Sequence, residues 1–424
     1  MKRFLLAFSL LCVAGNVALS QQNCHSYEYQ QRLIEADPIL AKRLHDFEVS
    51  RKSSLNKDIL STINTGNGSG SPMIRIPVVV HVLYNNAAQN ISDEQIQSQI
   101  DALNRDFRRQ NTDTVNTPAG FKQRAADTQI EFVMANVDPR GFVTNGIIRK
   151  QTNIQYFGLD DRIKSGSIGG DDPWDSDKYL NIWVGSLAGA LYGYASPVYS
   201  DRQKDGVVVS YNVFGTKGRL NANFNHGRIA VHEVGHWLGL RHIWGDRHCG
   251  DDYVDDTPPQ QISSFGCPSG TPITCNNAPF GNMFMNYMDL TNDACTNMFT
   301  NGQKEKMRSL FEAGGFREAL LSSTAANGNG LPAPVELPVA KTTVGFYPNP
   351  VQSVLTIDLG VNEDLMGNTV TLHNHLGQEV ARRQITKLVF TLNMQQLSDG
   401  MYFVRIAGSR KAYKVIKASG LIHP

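Results

Sequence analysis

The sequence predicts an α+β chain in two parts: a mixed sheet with a helix packed on one side, then a small all-β sandwich. Three observations predict it. The β-branched run Ile76 to Tyr84, centred on Val78-Val79-Val80, suits a buried strand. After it, Ile96, Ile100, Leu103 and Phe107 recur at intervals of 4, 3 and 4 residues, one apolar face of a helix that Ser92 and Gln95 would open as a capping box. From Leu355 onward the chain breaks into short, mostly alternating segments with Gly or Asp-Gly between them.

The other elements follow in chain order. Lys2 and Arg3 precede an apolar stretch, Phe4 to Val13, and Ala18-Leu19-Ser20 places small residues before Gln21, so residues 1–20 read as a secretory signal peptide. A membrane anchor would need about 20 apolar residues, and Gly15 and Asn16 break this run. No later segment is long enough to span a bilayer. Residues 21–72 are polar, carry a weak helical pattern around Leu33, Leu40, Leu44 and Phe47, and end in the flexible run Thr65 to Pro72; they read as a removable pro-segment. Further strands are expected over Gln129 to Val137, Tyr179 to Val184 and Gly206 to Tyr211 within a main domain spanning 73–321. A linker, 322–340, rich in Gly, Asn and Pro, leads to the tail, 341–424. There, strands are expected over Leu355 to Leu359, Thr369 to His373, Glu379 to Ala381, Leu388 to Asn393, Met401 to Ile406 and Ala412 to Ile416.

Composition excludes several functions. In 424 residues, Lys plus Arg number 40 and Asp plus Glu 39, so the formal charge of +1 gives no excess to recruit nucleic acid or an anionic membrane. A hydrophobic fraction of 41% is enough for a packed core and excludes wholesale disorder. Of the six cysteines, Cys12 lies in the leader and Cys24 stands alone. Cys249, Cys267, Cys275 and Cys295 cluster, and in an oxidising compartment they should form two disulfides, for which arithmetic allows three pairings.

The informative stretch runs from Val231 to His242. Residues four apart share a helix face, so His232 and His236 can present ring nitrogens to one ion. Gly239 can take the left-handed conformation that ends a helix, which would turn the chain and return His242 as a third ligand. Three histidines leave the fourth zinc position open for water, the arrangement of hydrolytic zinc. Glu233, beside His232, could reach that water as general base and hand its proton to a leaving amine. The bland reading, ordinary core and surface histidines, leaves three His, one Glu and one Gly in fixed register unexplained. These residues point to peptide hydrolysis.

His232, Glu233, His236, Gly239 and His242 match HExxHxxGxxH, so the chain resembles the metzincin metallopeptidases, with Asn286-Tyr287-Met288-Asp289 as the methionine turn and Met288 as its methionine. More narrowly, Trp237, the run Leu240 to Asp246, Cys249 to Asp252, Asp256-Thr257-Pro258 and Met298-Phe299-Thr300 are similar to the pappalysin family and its small bacterial members. The likeness covers roughly residues 75 to 320 and is densest from Arg228 to Gln303. It implies a metzincin-like catalytic domain with a mixed, mostly parallel sheet and a zinc-binding active-site helix. It also implies the pairings Cys249–Cys275 and Cys267–Cys295, and structural calcium held by Asp252, Asp255, Asp256 and Thr257. Asp293 corresponds to the carboxylate that selects Arg or Lys on the primed side, and Cys24 to a cysteine switch whose thiolate fills the open zinc position. One departure stands out: many metzincins carry a tyrosine two residues after the turn methionine, where this chain has Leu290, and Tyr287 should not be presumed to replace it.

The tail carries its own resemblance. Tyr347-Pro348-Asn349-Pro350, Leu355-Thr356-Ile357, Leu376-Gly377, Leu397, Gly400 to Val404 and Lys414 to Lys417 look like the C-terminal sorting domain of the bacterial type IX secretion system. The tail has no Trp for a sugar-stacking platform, which argues against a carbohydrate-binding sandwich. The expected product is a bacterial zinc endopeptidase, made as a zymogen, secreted or attached to the cell surface, and monomeric when mature. Its partners would be protein or peptide substrates and the secretion machinery. The competing class is a secreted zinc-containing binding protein or adhesin without efficient catalysis.

Overall fold

A computed structural model describes residues 24–49, 72–328, 330–331, 344–360, 362–407, 409 and 411–420. The expected leader, the glycine-rich end of the pro-segment and the proline-rich half of the linker lie outside them. The chain divides into two units, Met1–Ala333 and Pro334–Pro424.

In the first unit, β1 (Ile74–Tyr84) is the middle of the sheet, and its Val78-Val79-Val80 centre is wholly buried. It pairs in parallel with β2 (Ile130–Met134), β3 (Ile147–Gln151) and β4 (Leu180–Gly185). β4 pairs in parallel with β6 (Val207–Ser210), and the edge strand β5 (Gly193–Ala195) runs antiparallel to β6. A mixed, mostly parallel sheet results. Its continuous apolar strands fit burial on both faces.

Among the described residues, five α-helices accompany this sheet. α1 (Ser26–Ala36) and α2, helical through residues 38–49, come from the expected pro-segment; α3 (Asp93–Phe107), α4 (Arg228–Trp237) and α5 (Asn301–Arg308) follow. Ile96, Ile100, Leu103 and Phe107 of α3 join the core with Trp237 and Leu238 from the end of α4. Ser92 accepts from the Gln95 N–H at 3.2 Å, but only half of the expected box forms. The Gln95 amide donates to the carbonyls of Tyr211 and Phe214 instead, tying α3 to the loop before α4. A complete capping box stands at Thr300 and Gln303, opening α5.

In this unit, two strands escape the sequence reading. β3 is half exposed and reads Ile-Ile-Arg-Lys-Gln, without clean alternation, and β5 is three residues long and begins with glycine. The polar stretch read as linker from residue 322 is still bonded to the first unit: Ala325 is buried and accepts from Asn136 N–H, and Leu331 accepts from Val143 N–H. Small side chains carry no apolar signal, so backbone pairing there leaves no pattern to read.

The second unit is all antiparallel. One sheet has the order β10 (Glu379–Gln384), β9 (Thr369–Asn374), β12 (Gly400–Ile406), β13 (Ala412–Lys417); the other has β11 (Val389–Asn393), β8 (Val354–Asp358), β7 (Gly345–Tyr347). Leu355, Ile357, Val370, Leu372, Val404 and Val415 fill a shared core, as alternation places every second residue inside. Among the described residues, no helix is long and apolar enough to cross a membrane.

Candidate zinc-dependent active site

α4 carries most of the site and is buried along almost its whole length. Its first turn lacks a side-chain cap of its own, because the N-cap is Gly227. The Asp293 carboxylate fills that role from a distant loop, accepting the N–H groups of His226 (2.8 Å) and Arg228 (3.3 Å). At the other end Gly239 has φ +83°, the Leu240 N–H bonds Gly235 O and the Gly239 N–H bonds His236 O. That pair of bonds is a Schellman ending, and it turns the chain back toward the helix.

The turn brings the three histidines together. Nε2 of His232 lies 3.2 Å from that of His242, Nε2 of His236 lies 3.0 Å from that of His232, and the third separation is 3.1 Å. Nitrogens about 2.05 Å from a tetrahedral ion sit roughly 3.3 Å apart, so the donor set fits one zinc. Each opposite ring nitrogen faces an acceptor: the Tyr287 carbonyl for His232 at 2.6 Å, the Leu240 carbonyl for His236 at 2.9 Å, and the Asp246 carboxylate for His242. These acceptors would hold the proton on Nδ1 and leave each Nε2 lone pair free for an ion. Burial pushes His232 down to about 3, with His242 adding to the effect, and pushes His236 well below its ordinary value. Both rings are therefore neutral and ready to ligate.

Glu233 is wholly buried, and burial lifts its carboxyl to about 7 against the hydrogen bonds from Ser26 and Cys24. Its Oε2 accepts from Ser26 Oγ at 2.7 Å and from the Cys24 thiol at 3.6 Å, while Oε1 has no partner among the described residues. Cys24 Sγ lies 3.4 Å from His236 Nε2, and one donor atom from each of Cys24, His232, His236 and His242 falls within 4.8 Å of the others. Ser26 Oγ also accepts from the Ala195 N–H at 2.8 Å, and His25 N–H bonds the Gly193 carbonyl at 3.2 Å. The segment from Cys24 to Ser26 thus lies along β5 and over the three histidines together.

Met288 packs under the helix at Gly235, where an added Cβ would come 2.5 Å from Met288 Sδ. Its turn is held by Asn286, whose carboxamide exchanges two hydrogen bonds with Gln303 and accepts the Met288 N–H. Asp293, buried and lifted to about 6 by burial, lines a narrow cleft with Cys24, His232, Ile229 and Leu290. Leu290 is itself buried in that cleft and offers no hydroxyl. Tyr287 does not replace the missing tyrosine. Its ring packs on Phe299 with Arg228 5.6 Å away, and its hydroxyl has no hydrogen-bond partner among the described residues.

Cys249 is bonded to Cys275 and Cys267 to Cys295. The expected calcium ligands are only partly together. Thr257 Oγ donates to Asp252, which is buried and lifted to about 7 by burial; Asp256 accepts from Thr300 Oγ and Gly302 N–H at the start of α5, and Asp255 is exposed.

Sequence reasoning missed Asp246, Ser26, Gly193 and Gly235. Asp246 left one signal, a carboxylate four residues after a ligating histidine. Ser26 and Gly193 left none, because their contacts join distant parts of the chain.

Set beside known proteins, residues 165–312 match the family model described as pregnancy-associated plasma protein-A, and residues 345–418 match that of the secretion system C-terminal sorting domain. The chain belongs to the pappalysin family of metallopeptidases, and its tail is a type IX sorting domain. Among individual proteins it is similar to Tannerella forsythia mature mirolysin in complex with a cleaved peptide, at 48% identity and TM-score 0.60, over 61% of this chain and 100% of that one. A mutant of Tannerella forsythia promirolysin matches at 43% identity and TM-score 0.65, over 72% of this chain and 100% of that one. An extracellular metalloprotease of Pyricularia oryzae is 28% identical over 319 residues, 73% of this chain and 95% of its own length.

Proposed function

We propose that this chain is the latent precursor of a secreted zinc endopeptidase that cuts beside Arg or Lys. Zinc is held by His232, His236 and His242, and Glu233 is the general base. The observation that carries this reading is the mutual approach of three Nε2 atoms, 3.0–3.2 Å apart, with the Glu233 carboxylate linked to them through Cys24, whose Sγ lies 3.6 Å from Oε2 and 3.4 Å from His236 Nε2. When bound there, zinc supplies a Lewis acid that acidifies water and polarises the scissile carbonyl. Glu233 does the proton work: once Cys24 and Ser26 leave it, its carboxylate takes a proton from the attacking water and returns it to the leaving amine. A carboxyl near 7 suits both directions of transfer at neutral pH. Asp293 supports basic specificity, since a buried carboxylate at the base of the cleft beside His232 would pair with a guanidinium or ammonium.

Residues 1–20 act as signal peptide, 21–72 as pro-segment, with Cys24 closing the fourth zinc position, and 73–321 as the catalytic domain; 341–424 address the protein to the secretion machinery. The product is bacterial and monomeric, released or kept at the cell surface. Calcium near Asp252 and Thr257 would offset the cost of burying that carboxylate. Arg51 and Arg75 are self-cleavage points consistent with the basic preference.

The test is casein cleavage by the purified, processed protein with and without a zinc chelator, beside Glu233→Ala. Cleavage that stops with chelator and falls about 10²–10⁴-fold in the variant is expected. Leu290, in place of an oxyanion-supporting tyrosine, is the observation that favours the second reading, a non-catalytic zinc-containing binding protein or adhesin. Absence of chelator-sensitive cleavage would decide for it.

A further inference from the structure

On the face of β5 turned away from Glu233 lies a second built site. Strand alternation puts Gly193 and Ala195 toward the catalytic helix, so close that a Cβ on Gly193 would stand 2.7 Å from Glu233 Cγ, and it sends Tyr194 to the other side. There Tyr194 joins Trp183, Phe157 and Ile163 in an apolar cluster separate from the core that holds the metal ligands. α1 sends two side chains to that cluster: half-buried Leu33 and, fully inside it, Tyr29, 1% exposed, its ring 4.7 Å from that of Tyr194.

The polar end of Tyr29 meets a matched pair. Its hydroxyl donates to Asp161 Oδ1 at 2.6 Å and accepts from Lys164 Nζ at 3.0 Å. Lys164 is buried, and its other two N–H groups go to Ser196 Oγ (3.0 Å) and the Lys204 carbonyl (2.9 Å). Its ammonium also lies 4.6 Å from the Tyr29 ring and 5.0 Å from the Tyr194 ring, within cation–π range. Asp161 stands 3.2 Å from Lys164 and 3.6 Å from Lys204. Every member except Tyr29 comes from the catalytic unit, and each keeps at least one partner without it. A group that fits must present an aromatic ring and an oxygen that both donates and accepts. A phenylalanine would lose the hydroxyl's bonds to both Asp161 and Lys164 in a buried place, and a carboxylate would meet Asp161.

We propose that Lys164, Asp161 and Tyr194 form a tyrosine-binding site on the catalytic unit, separate from the metal centre, whose resident ligand is Tyr29 of the pro-segment. The site holds α1 in place independently of Cys24 and of any bound ion. It rests on the reading of residues 21–72 as a pro-segment and adds a second anchor to it. The other end of the segment is held apart from both, by Phe47 in the core and by Glu48 paired with Lys306 and Arg241.

Hydrogen exchange of the Ser26–Ala36 amides tests this in the full-length precursor, zinc-loaded and chelated, for wild type, Cys24→Ala, Tyr29→Phe and Lys164→Met. Expected is a wild-type α1 that stays protected after chelation and in Cys24→Ala. In Tyr29→Phe, which alters one oxygen and leaves the ring to pack, α1 protection falls about 10-fold in both metal states while α2 is unchanged. Lys164→Met should act in the same direction. Equal protection in Tyr29→Phe and wild type overturns the site, as does collapse of wild-type α1 on chelation alone. Casein cleavage by processed wild type is run alongside: its absence would count against the protease reading, whereas α1 exchange in the uncut precursor reports only on the anchor.

Discussion

Gly235 faces Met288 so closely that no side chain fits between them, with 2.5 Å from an ideal Cβ to the sulfur. The residue between the two helical ligands is therefore fixed from below, by the turn that carries the methionine. Met288 is fully buried, so it has little room to withdraw. Gly235→Ala should destabilise the protein by about 1–3 kcal/mol through overpacking. It should also loosen zinc, because displacing the turn moves the Tyr287 carbonyl that orients His232. Thermal unfolding with metal titration checks both, and an unchanged melting temperature with unchanged zinc affinity would show the contact to be slack.

Asp246 orients His242 as the main-chain carbonyls of Tyr287 and Leu240 orient the other two rings. Removing such a partner commonly costs 10–100-fold in metal affinity. Asp246→Ala should fall in that range, by competition against a chromogenic chelator, with the fold intact by circular dichroism. Wild-type affinity in the variant would mean that stacking on Trp244, at 4.2 Å, is enough to set the ring.

Cys24→Ala should release the catalytic centre of the precursor while leaving α1 docked. Faster processing, and access of a small active-site ligand before any cut, are the expected outcomes. A variant precursor as latent as wild type removes the thiol switch and leaves Ser26, which engages both Glu233 and Ala195, as the blocking contact.

Burial lifts Asp293 to about 6, against the hydrogen bonds from the His226 and Arg228 N–H groups. A carboxyl raised in this way is charged above pH 6 and neutral below it, so its attraction for a basic side chain is present at pH 7 and fades as pH falls toward 5. The ratio of kcat/KM for an Arg substrate to that for a norleucine analogue should drop through this window, with pH effects common to both substrates cancelling. Asp293→Asn should lower the ratio about 10–100-fold at pH 7, as expected for a lost charge-assisted pair, and flatten its pH dependence. A ratio indifferent to pH and to the substitution would reduce Asp293 to a helix cap.

Much of the fold and the convergence of the three histidines could be read in advance, because both are written in short-range spacing. Val78 to Val80 marks the central strand, and the four- and six-residue steps from His236 back to His232 and on to His242, with Gly239 between, encode a helix and its return. What could not be read is contact across distance. Ser26 reaches Glu233 over 207 positions, and Gly193 matters only because a carboxylate from another element lies against it. Gln95 looked like half of a local box, yet its amide serves two carbonyls more than 100 residues away; a helix start and a tertiary tie have the same local spelling. The dual use of Asp293, wall of the cleft and cap of α4, is likewise visible only once the loop is folded onto the helix.

β5 is the outermost strand of its sheet, and an uncovered rim of this kind invites other chains to zip onto it. In the precursor that rim is taken: His25 engages Gly193, and the Ser26 hydroxyl receives the Ala195 amide. The same few residues shield the ring nitrogens of the histidines. Removal of that one segment would therefore uncover stickiness and reactivity in a single event.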